Sequence, residues 1–505
     1  MKNFTIIFIF LLLSAAGLQA QYTGGSGRGD FKLGYYVNPV VVANAHASSN
    51  GTYATLKLAF DAINAQTQTG FNITVTLIGS TTETASAILN AGAWTTLTIY
   101  PTVTGLSITG NLAAPLIDLN GTTNVTINGS LNGANAGKDL VITNTSTSAT
   151  DGTSTIRFIN DASTNTVKYC TIKGSSMSAY GGNIYFGTTT GTTGNDTNTI
   201  NLNDITNAAD ANRPINAIGS VGSTGKDNSG NIISNNNIYN FLNRGTISYG
   251  INLWNFNTNW SITGNSFYET ASFVPTAHVA YYAINIYYTS GTGFTVDNNF
   301  IGGQAASCGG TTWTKTAAFN NAFTAINLNV GTGTATSVQG NTIRNFAYSN
   351  SLNASWYGIN ILAGEVNIGT TTGNTIGTST GNGSINYTNS SSGANFYGIY
   401  LANTGTTVVH DNIIGAITAS NTASNATHIY GIYKTGGGIT TISNNTIGST
   451  DAGTSNSINA ASAATASAQT VYGIYSAGGG TVSISGNTVS KLTNGSTILL
   501  LQTMV

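Results

Sequence analysis

The sequence predicts an all-β solenoid of stacked coils with one short helix near its start, and three observations predict it. A Tyr-Gly-Ile landmark or a near variant starts at Tyr249, Tyr282, Thr324, Tyr357, Tyr397, Tyr430 and Tyr472, at spacings of 33, 42, 33, 40, 33 and 42. An asparagine followed at two positions by Ile, Val or Phe recurs about 15 to 17 residues later, at Asn265, Asn299, Asn341, Asn374, Asn412, Asn445 and Asn487. Short alternating strands separated by Gly, Asn and Ser fill the remainder. Fixed periods of this size mark repeat architectures, in which each unit buries its apolar side chains only against its neighbours.

The first apolar stretch lies outside that pattern. A short polar start with Lys2 precedes the run Phe4 to Leu13, and Ser14 to Ala20 is rich in small residues. That is the arrangement of a secretory signal, with cleavage expected after Ala20, and the run is too short to span a bilayer. Residues 1–20 are therefore expected to direct export, 21–50 to form an extension, and 51–116 to form an amino-terminal cap. Residues 117–505 are expected to be repeats. Within the cap, Tyr53, Leu56, Phe60 and Ile63 recur at helical spacing, with Thr52 or Thr55 as the capping residue. After Gly70 the period switches to two, as in Ile73, Val75 and Leu77.

Within each coil the alternation of strand side chains places Tyr397, Ile399 and Leu401 on one face and Gly398 and Tyr400 on the other. Inward ladders are expected at Ile251, Ile284, Ile326, Ile359, Ile399, Ile432 and Ile474, and at Phe267, Ile301, Ile343, Ile376, Ile414, Ile447 and Val489. The residue before each repeated asparagine is Gly, Asn or Asp: Asn235, Gly264, Asn298, Gly340, Gly373, Asp411, Asn444 and Gly486. These types tolerate positive φ best, so a left-handed bend is expected there and Asp411 reads as a bend residue, not a catalytic acid. The asparagines that follow can form an amide ladder between coils. Asn203 and Asn236 extend the column upstream, and Cys170 takes an asparagine's place in it.

This bend-and-asparagine pattern resembles the right-handed parallel β-helix of pectin-lyase-like proteins. The segments Ile117 to Gly133 and Ile156 to Ala162 are similar to large secreted β-helix repeat proteins of Bacteroidota, usually of surface or adhesin type. The resemblance implies a right-handed β-helix with a short helix plugging the first coil, and a carboxy-terminal sorting domain that this sequence does not carry. The spacing puts the next Tyr-Gly-Ile at about residue 505, so the chain reads as the amino-terminal piece of a longer protein.

Composition bounds the chemistry. Fifteen Lys and Arg against sixteen Asp and Glu give a net charge of −1 with only 6% charged residues, which provides no footprint for nucleic acid. Hydrophobic residues make up 40%, enough for a large core, and two cysteines cannot form a disulfide framework. Glycoside hydrolysis needs two carboxyls about 5 to 10 Å apart. Asp297 and His410 share a column but lie three coils apart, about 14 Å at the spacing of strands. Glu83, Glu269 and Glu365 occupy unrelated positions, and Arg244 and Arg344 read as solvated or capping residues. The four histidines show no metal spacing, and Asp196, Asp204 and Asp210 have no regular period that would support calcium. No catalytic residue, cofactor or metal ligand is assigned.

One outward column stands apart: Asn252, Asn285, Asn327 and Asn360, then Tyr400, Tyr433 and Tyr475. A row of tyrosines can stack on sugar rings, or it can serve only as cross-strand pairing on a half-covered face. The insertions 378–395 and 449–469 are expected to emerge at one edge and carry binding variation. The expected function is that of a secreted or cell-surface structural or adhesin-like protein without catalytic activity, with neutral glycans or a surface as partner. A carbohydrate-binding or polysaccharide-degrading β-helix is the alternative. Ice binding would need a flat array of outward threonines, and the threonines here hold no column.

Overall fold

The computed structural model describes residues 38–496, apart from 392, 423, 424, 463 and 465–467. Residues 1–20, which the sequence reads as an export signal, and residues 497–505 lie outside the described residues. The chain folds as a parallel β-solenoid. Fifteen, thirteen and twelve strands form three long sheets, and six strands form a fourth. A narrow coil runs from Thr199–Asn201 in the first sheet, through Asp204–Asn207 in the second, to Asn216–Ser220 in the third. Each strand pairs in parallel with its equivalent one coil away, as Ile251 does with Ile284 and Ile284 with Ile326.

The start of the solenoid is closed by different structure. Val40–Ala43 pairs antiparallel with both Gly51–Tyr53 and Asn72–Leu77. The helix Leu56–Asn64 buries Leu56, Ala59, Phe60 and Ile63. Thr55 is its amino-terminal cap, accepting from the Leu58 N–H. Glu83, from the first strand of the second sheet, accepts from the Leu56 and Lys57 N–H groups at 2.8 and 3.0 Å. A carboxylate there satisfies orphan donors and complements the helix dipole, which fixes the helix onto the sheet ends. Among the described residues no helix is long and apolar enough to cross a membrane.

Both inward ladders are formed. The third-sheet isoleucines from Ile251 to Ile432 are fully buried, as are Phe267 and Ile301 to Ile447 in the second sheet. The landmark glycine corrects the expected alternation. Tyr397 lies on the outer face with Tyr400, their rings 4.9 Å apart, while Phe396, Ile399 and Leu401 are fully buried. Gly398 and Ile399 both face inward, because a Cβ on Gly398 would come within 2.9 Å of Ile414. Strict period two therefore fails once per coil, at an irregularity repeated in register. Only Gly, or Ala at 217, 283 and 325, fills that position from Asn216 to Ile474.

Between first and second sheets the chain turns on a single left-handed residue. φ is +55° at Asn235, +67° at Gly264, +57° at Asn298, +61° at Gly340, +57° at Asp411 and Asn444, and +64° at Gly486. Gly373 departs from the expectation, since its φ is not in the left-handed range. Ile368, the partner of Val338 and Val409, lies six positions before its ladder asparagine, where they lie three before theirs. The three extra residues carry the turn, and Gly369, at φ +79°, adopts the left-handed conformation. A side chain at Gly373 is excluded for another reason: its Cβ would collide with the Asp411 carbonyl oxygen of the next coil.

The asparagine column is a continuous amide ladder, buried as far as Asn445 and half-buried at Asn487. From Asn203 through Asn236, Asn265, Asn299, Asn341, Asn374, Asn412 and Asn445 to Asn487, each Oδ1 accepts from the preceding asparagine's side chain and backbone N–H at 2.8–3.1 Å. Only the Cys170 backbone N–H donates to Asn203, so the thiol residue begins the column without an amide. A further column, Asn165, Asn198 and Asn231, does the same before the first-sheet strands.

The insertions are not simply loops. The first contributes Ile385–Asn389 and the second Ile458–Ala460 to the fourth sheet, alongside Trp313–Lys315, Phe346–Ser349, Ile417–Asn421 and Leu492–Asn494. Where this sheet begins, the coil widens and fills with rings: Trp313, Phe323, Phe346, Tyr348, Trp356 and Phe396 are all fully buried.

Candidate functional site

The outer face of the third sheet changes character along the solenoid. After the exposed Ile88 on the first strand, it carries Asp118 and Arg157 on adjacent strands, joined by two hydrogen bonds of 2.9 and 2.7 Å. It continues as a second amide ladder: Asn252 donates to Asn216, Asn285 to Asn252, Asn327 to Asn285 and Asn360 to Asn327, at 2.7–3.0 Å. These residues are buried. At Asn360 the ladder stops, and its Oδ1 has no partner beside the strand that carries Tyr400.

From there the face is aromatic. Tyr400, Tyr433 and Tyr475 stand in one column, with ring centroids 5.4 and 5.1 Å apart. Tyr357, Tyr397, Tyr430 and Tyr472 stand in a parallel column at 4.9, 5.3 and 5.6 Å, each pair within 16° of parallel. Contacts of 4.6 to 4.9 Å between the columns join them into one patch. Strict alternation places Tyr397 on the opposite face; the inward glycine turns it, and this second column with it, outward. Parallel rings in a column turn their faces toward one another, so a ligand lying along it meets ring edges and hydroxyls. Tyr472 and Tyr475, on the last described strand of this sheet, have no further ring above them among the described residues.

The patch is uncharged. Burial raises the Tyr397, Tyr430 and Tyr433 hydroxyls above the ordinary tyrosine range, with their neighbours' charge adding to it, so they remain protonated donors at neutral pH. Thr435 donates to the Tyr400 hydroxyl at 3.2 Å. His428 borders the patch, 2.7 Å from Thr470, and burial lowers its pKa.

A charged cluster that the column logic missed lies elsewhere. Arg213 binds Glu269 and, at 2.7 Å, Asp210, and Arg244 binds the same Asp210. Burial pushes the fully buried Glu269 carboxyl upward against the charge of Arg213. Burial also works on Asp210, but hydrogen bonds and charge from Arg213 and Arg244 outweigh it and hold that carboxyl below the usual range. A cleft of about 490 Å³ opens beside them, lined by Asp210, Asn243, Arg244 and Thr276 among others. Arg213 clamps the two acids, giving a structural role that the sequence reading of Glu269 and Arg244 did not foresee. Glu269→Gln should cost about 3 kcal/mol by leaving Arg213 under-neutralised in a buried site; urea unfolding checks this, and a cost under about 1 kcal/mol would remove the structural role.

The remaining candidates are separate. Asp196 accepts from the Ser229 N–H and hydroxyl, and Asp204 pairs with Lys138 at 2.5 Å. Asp297 accepts from the Gln339 N–H, and His410 contacts Asp411 at 2.9 Å. Glu365 accepts from the Gly333 N–H. Among the described residues no group of three or more His, Cys, Asp or Glu is placed to hold a metal ion. Cys170 and Cys308 are both free and buried. No family model, curated protein or solved structure matches the chain.

Proposed function

We propose that the protein is an exported, surface-associated structural or adhesin-like solenoid that holds neutral glycans on its tyrosine face without cleaving them. We further propose that its coils are right-handed, of the pectin-lyase-like type found in secreted Bacteroidota repeat proteins, and that residues 1–20 direct its export. The observation that carries the binding reading is the two-column patch of seven tyrosines from Tyr357 to Tyr475, held on a sheet and free of charged side chains. Hydroxyl edges match a hydroxyl-rich ligand, and a rigid sheet holds them with little ordering cost on binding. The second reading, polysaccharide degradation, draws support from the cleft beside Asp210 and Arg244.

A neutral-glycan array with the purified chain tests both. Replacing Tyr400, Tyr433 and Tyr475 together by Ser should weaken binding about tenfold or more, since each aromatic contact contributes roughly 1 kcal/mol. The circular dichroism spectrum should not change. No binding by the unaltered chain, or unchanged binding by the triple variant, would overturn the glycan assignment. Release of shortened chains from any polysaccharide would overturn the non-catalytic one.

A further inference from the structure

The coil that opens the fourth sheet contains a buried lysine with no acid paired to it among the described residues. Lys315 closes the strand Trp313–Lys315 and pairs with Tyr348 on the strand Phe346–Ser349. It is 0% exposed, lies 5.2 Å over the Tyr348 ring, and forms no ion pair among the described residues. Its Nζ reaches three oxygens: the carbonyls of Phe319 and Ser349 at 2.5 and 2.8 Å, and Oδ1 of Asn350 at 2.8 Å. Asn350 is itself 2% exposed. Its Oδ1 also accepts from the Asn321 N–H at 3.0 Å, and its Nδ2 donates to the Ala354 carbonyl at 3.0 Å. The Tyr387 hydroxyl donates to the same Ala354 carbonyl.

We propose that Lys315 and Asn350 join in an intramolecular amide bond that staples neighbouring strands of the fourth sheet. The neutral Lys315 amine adds to Cγ of Asn350, forming the Nζ–Cγ bond. The negative charge that develops on Oδ1 meets the Asn321 N–H, already aimed at it, which is the arrangement that stabilises acyl-transfer intermediates. The Cγ–Nδ2 bond then breaks, and Nδ2 departs as ammonia with one proton taken from the attacking nitrogen. The Tyr387 hydroxyl shares the Ala354 carbonyl with the departing nitrogen and so stands beside it to relay that proton. Amine and carboxamide become amide and ammonia, so no oxidant or other reactant is required.

Two features favour the step. Burial pushes the Lys315 pKa down to about 7, so a substantial fraction of the amine is neutral and nucleophilic near neutral pH. The site also keeps Nζ 2.8 Å from Oδ1 of the carboxamide it attacks and away from bulk water, which reduces a diffusive encounter to a local reorientation. Three carbonyl-type oxygens around Nζ pull the other way, by favouring the ammonium, and they set a slow reaction rather than a fast one. The product would close a loop between positions 315 and 350 in a chain whose two cysteines are free, restraining the unfolded state as a disulfide does.

Peptide mapping by mass spectrometry of the purified full chain, aged for several days at pH 8, tests the bond. The expected result is a branched peptide joining the Lys315 and Asn350 segments, lighter than the two linear peptides together by one ammonia. Lys315→Met and Asn350→Ala should give only linear peptides, and Asn350→Asp should form the same link with loss of water. Tyr387→Phe should slow its appearance; an unchanged rate would remove the hydroxyl from the step. Recovery of both linear peptides at full mass from the aged, folded, unaltered chain would overturn the proposal.

Discussion

Asn341→Ala is expected to destabilise the solenoid by about 5 kcal/mol, among the largest effects of any single substitution in it. The side chain donates to the Val296 carbonyl at 2.7 Å and to Asn374 Oδ1 at 2.8 Å, and accepts twice from Asn299 at 3.0 Å. Alanine would leave the Val296 carbonyl and both Asn299 donors buried without partners, at about 1–3 kcal/mol each. Asn487 occupies the same column in a half-buried coil, where water can replace lost partners. Asn487→Ala should therefore cost only about 1 kcal/mol. Urea unfolding of the two variants measures the difference, and equal costs would mean that the ladder contributes little beyond its local bend.

Gly431→Val is expected to cost more than about 4 kcal/mol, or to prevent folding. The position points into the core, where a Cβ would lie 2.5 Å from the Gly473 carbonyl oxygen and 2.7 Å from Ile447 Cγ2. The first contact belongs to the backbone of the neighbouring strand, so relief requires moving a ladder strand, and the γ-methyls of valine add further overpacking. Gly431→Ala should be milder, about 1–3 kcal/mol, because Ala283 and Ala325 fill the equivalent position elsewhere. Thermal unfolding followed by circular dichroism separates the three proteins. A valine variant as stable as the alanine one would show that the glycine faces outward.

The sequence alone determined what repeats in register. Stacked coils place equivalent residues on top of one another, so a ladder such as Ile251 to Ile474 or Asn203 to Asn487 is written as a period along the chain. The single-residue bend was legible for the same reason, since few residue types accept a left-handed conformation. Gly373 misled because the three residues added in that coil moved the turn without changing its residue types. The inward glycine was also written in the chain, as a position that only Gly or Ala fills. A strict alternation of faces concealed it, and with it the outward Tyr397 column.

The fourth sheet had a weaker trace. Ile385 with Tyr387, and Ile417 with Ala419, alternate inward within segments whose polar composition resembles that of loops. Only the tertiary structure decided the charged cluster and the lysine site. Arg213 and Glu269 are 56 residues apart, and Lys315 and Asn350 are 35 apart; Arg213, Glu269 and Asn350 stand on connections, and Lys315 ends a short fourth-sheet strand. Neighbour stacking repeats because every coil solves the same packing problem. A buried charge is instead placed once, by the particular path of the loops around it, and no periodicity along the chain records where those paths meet.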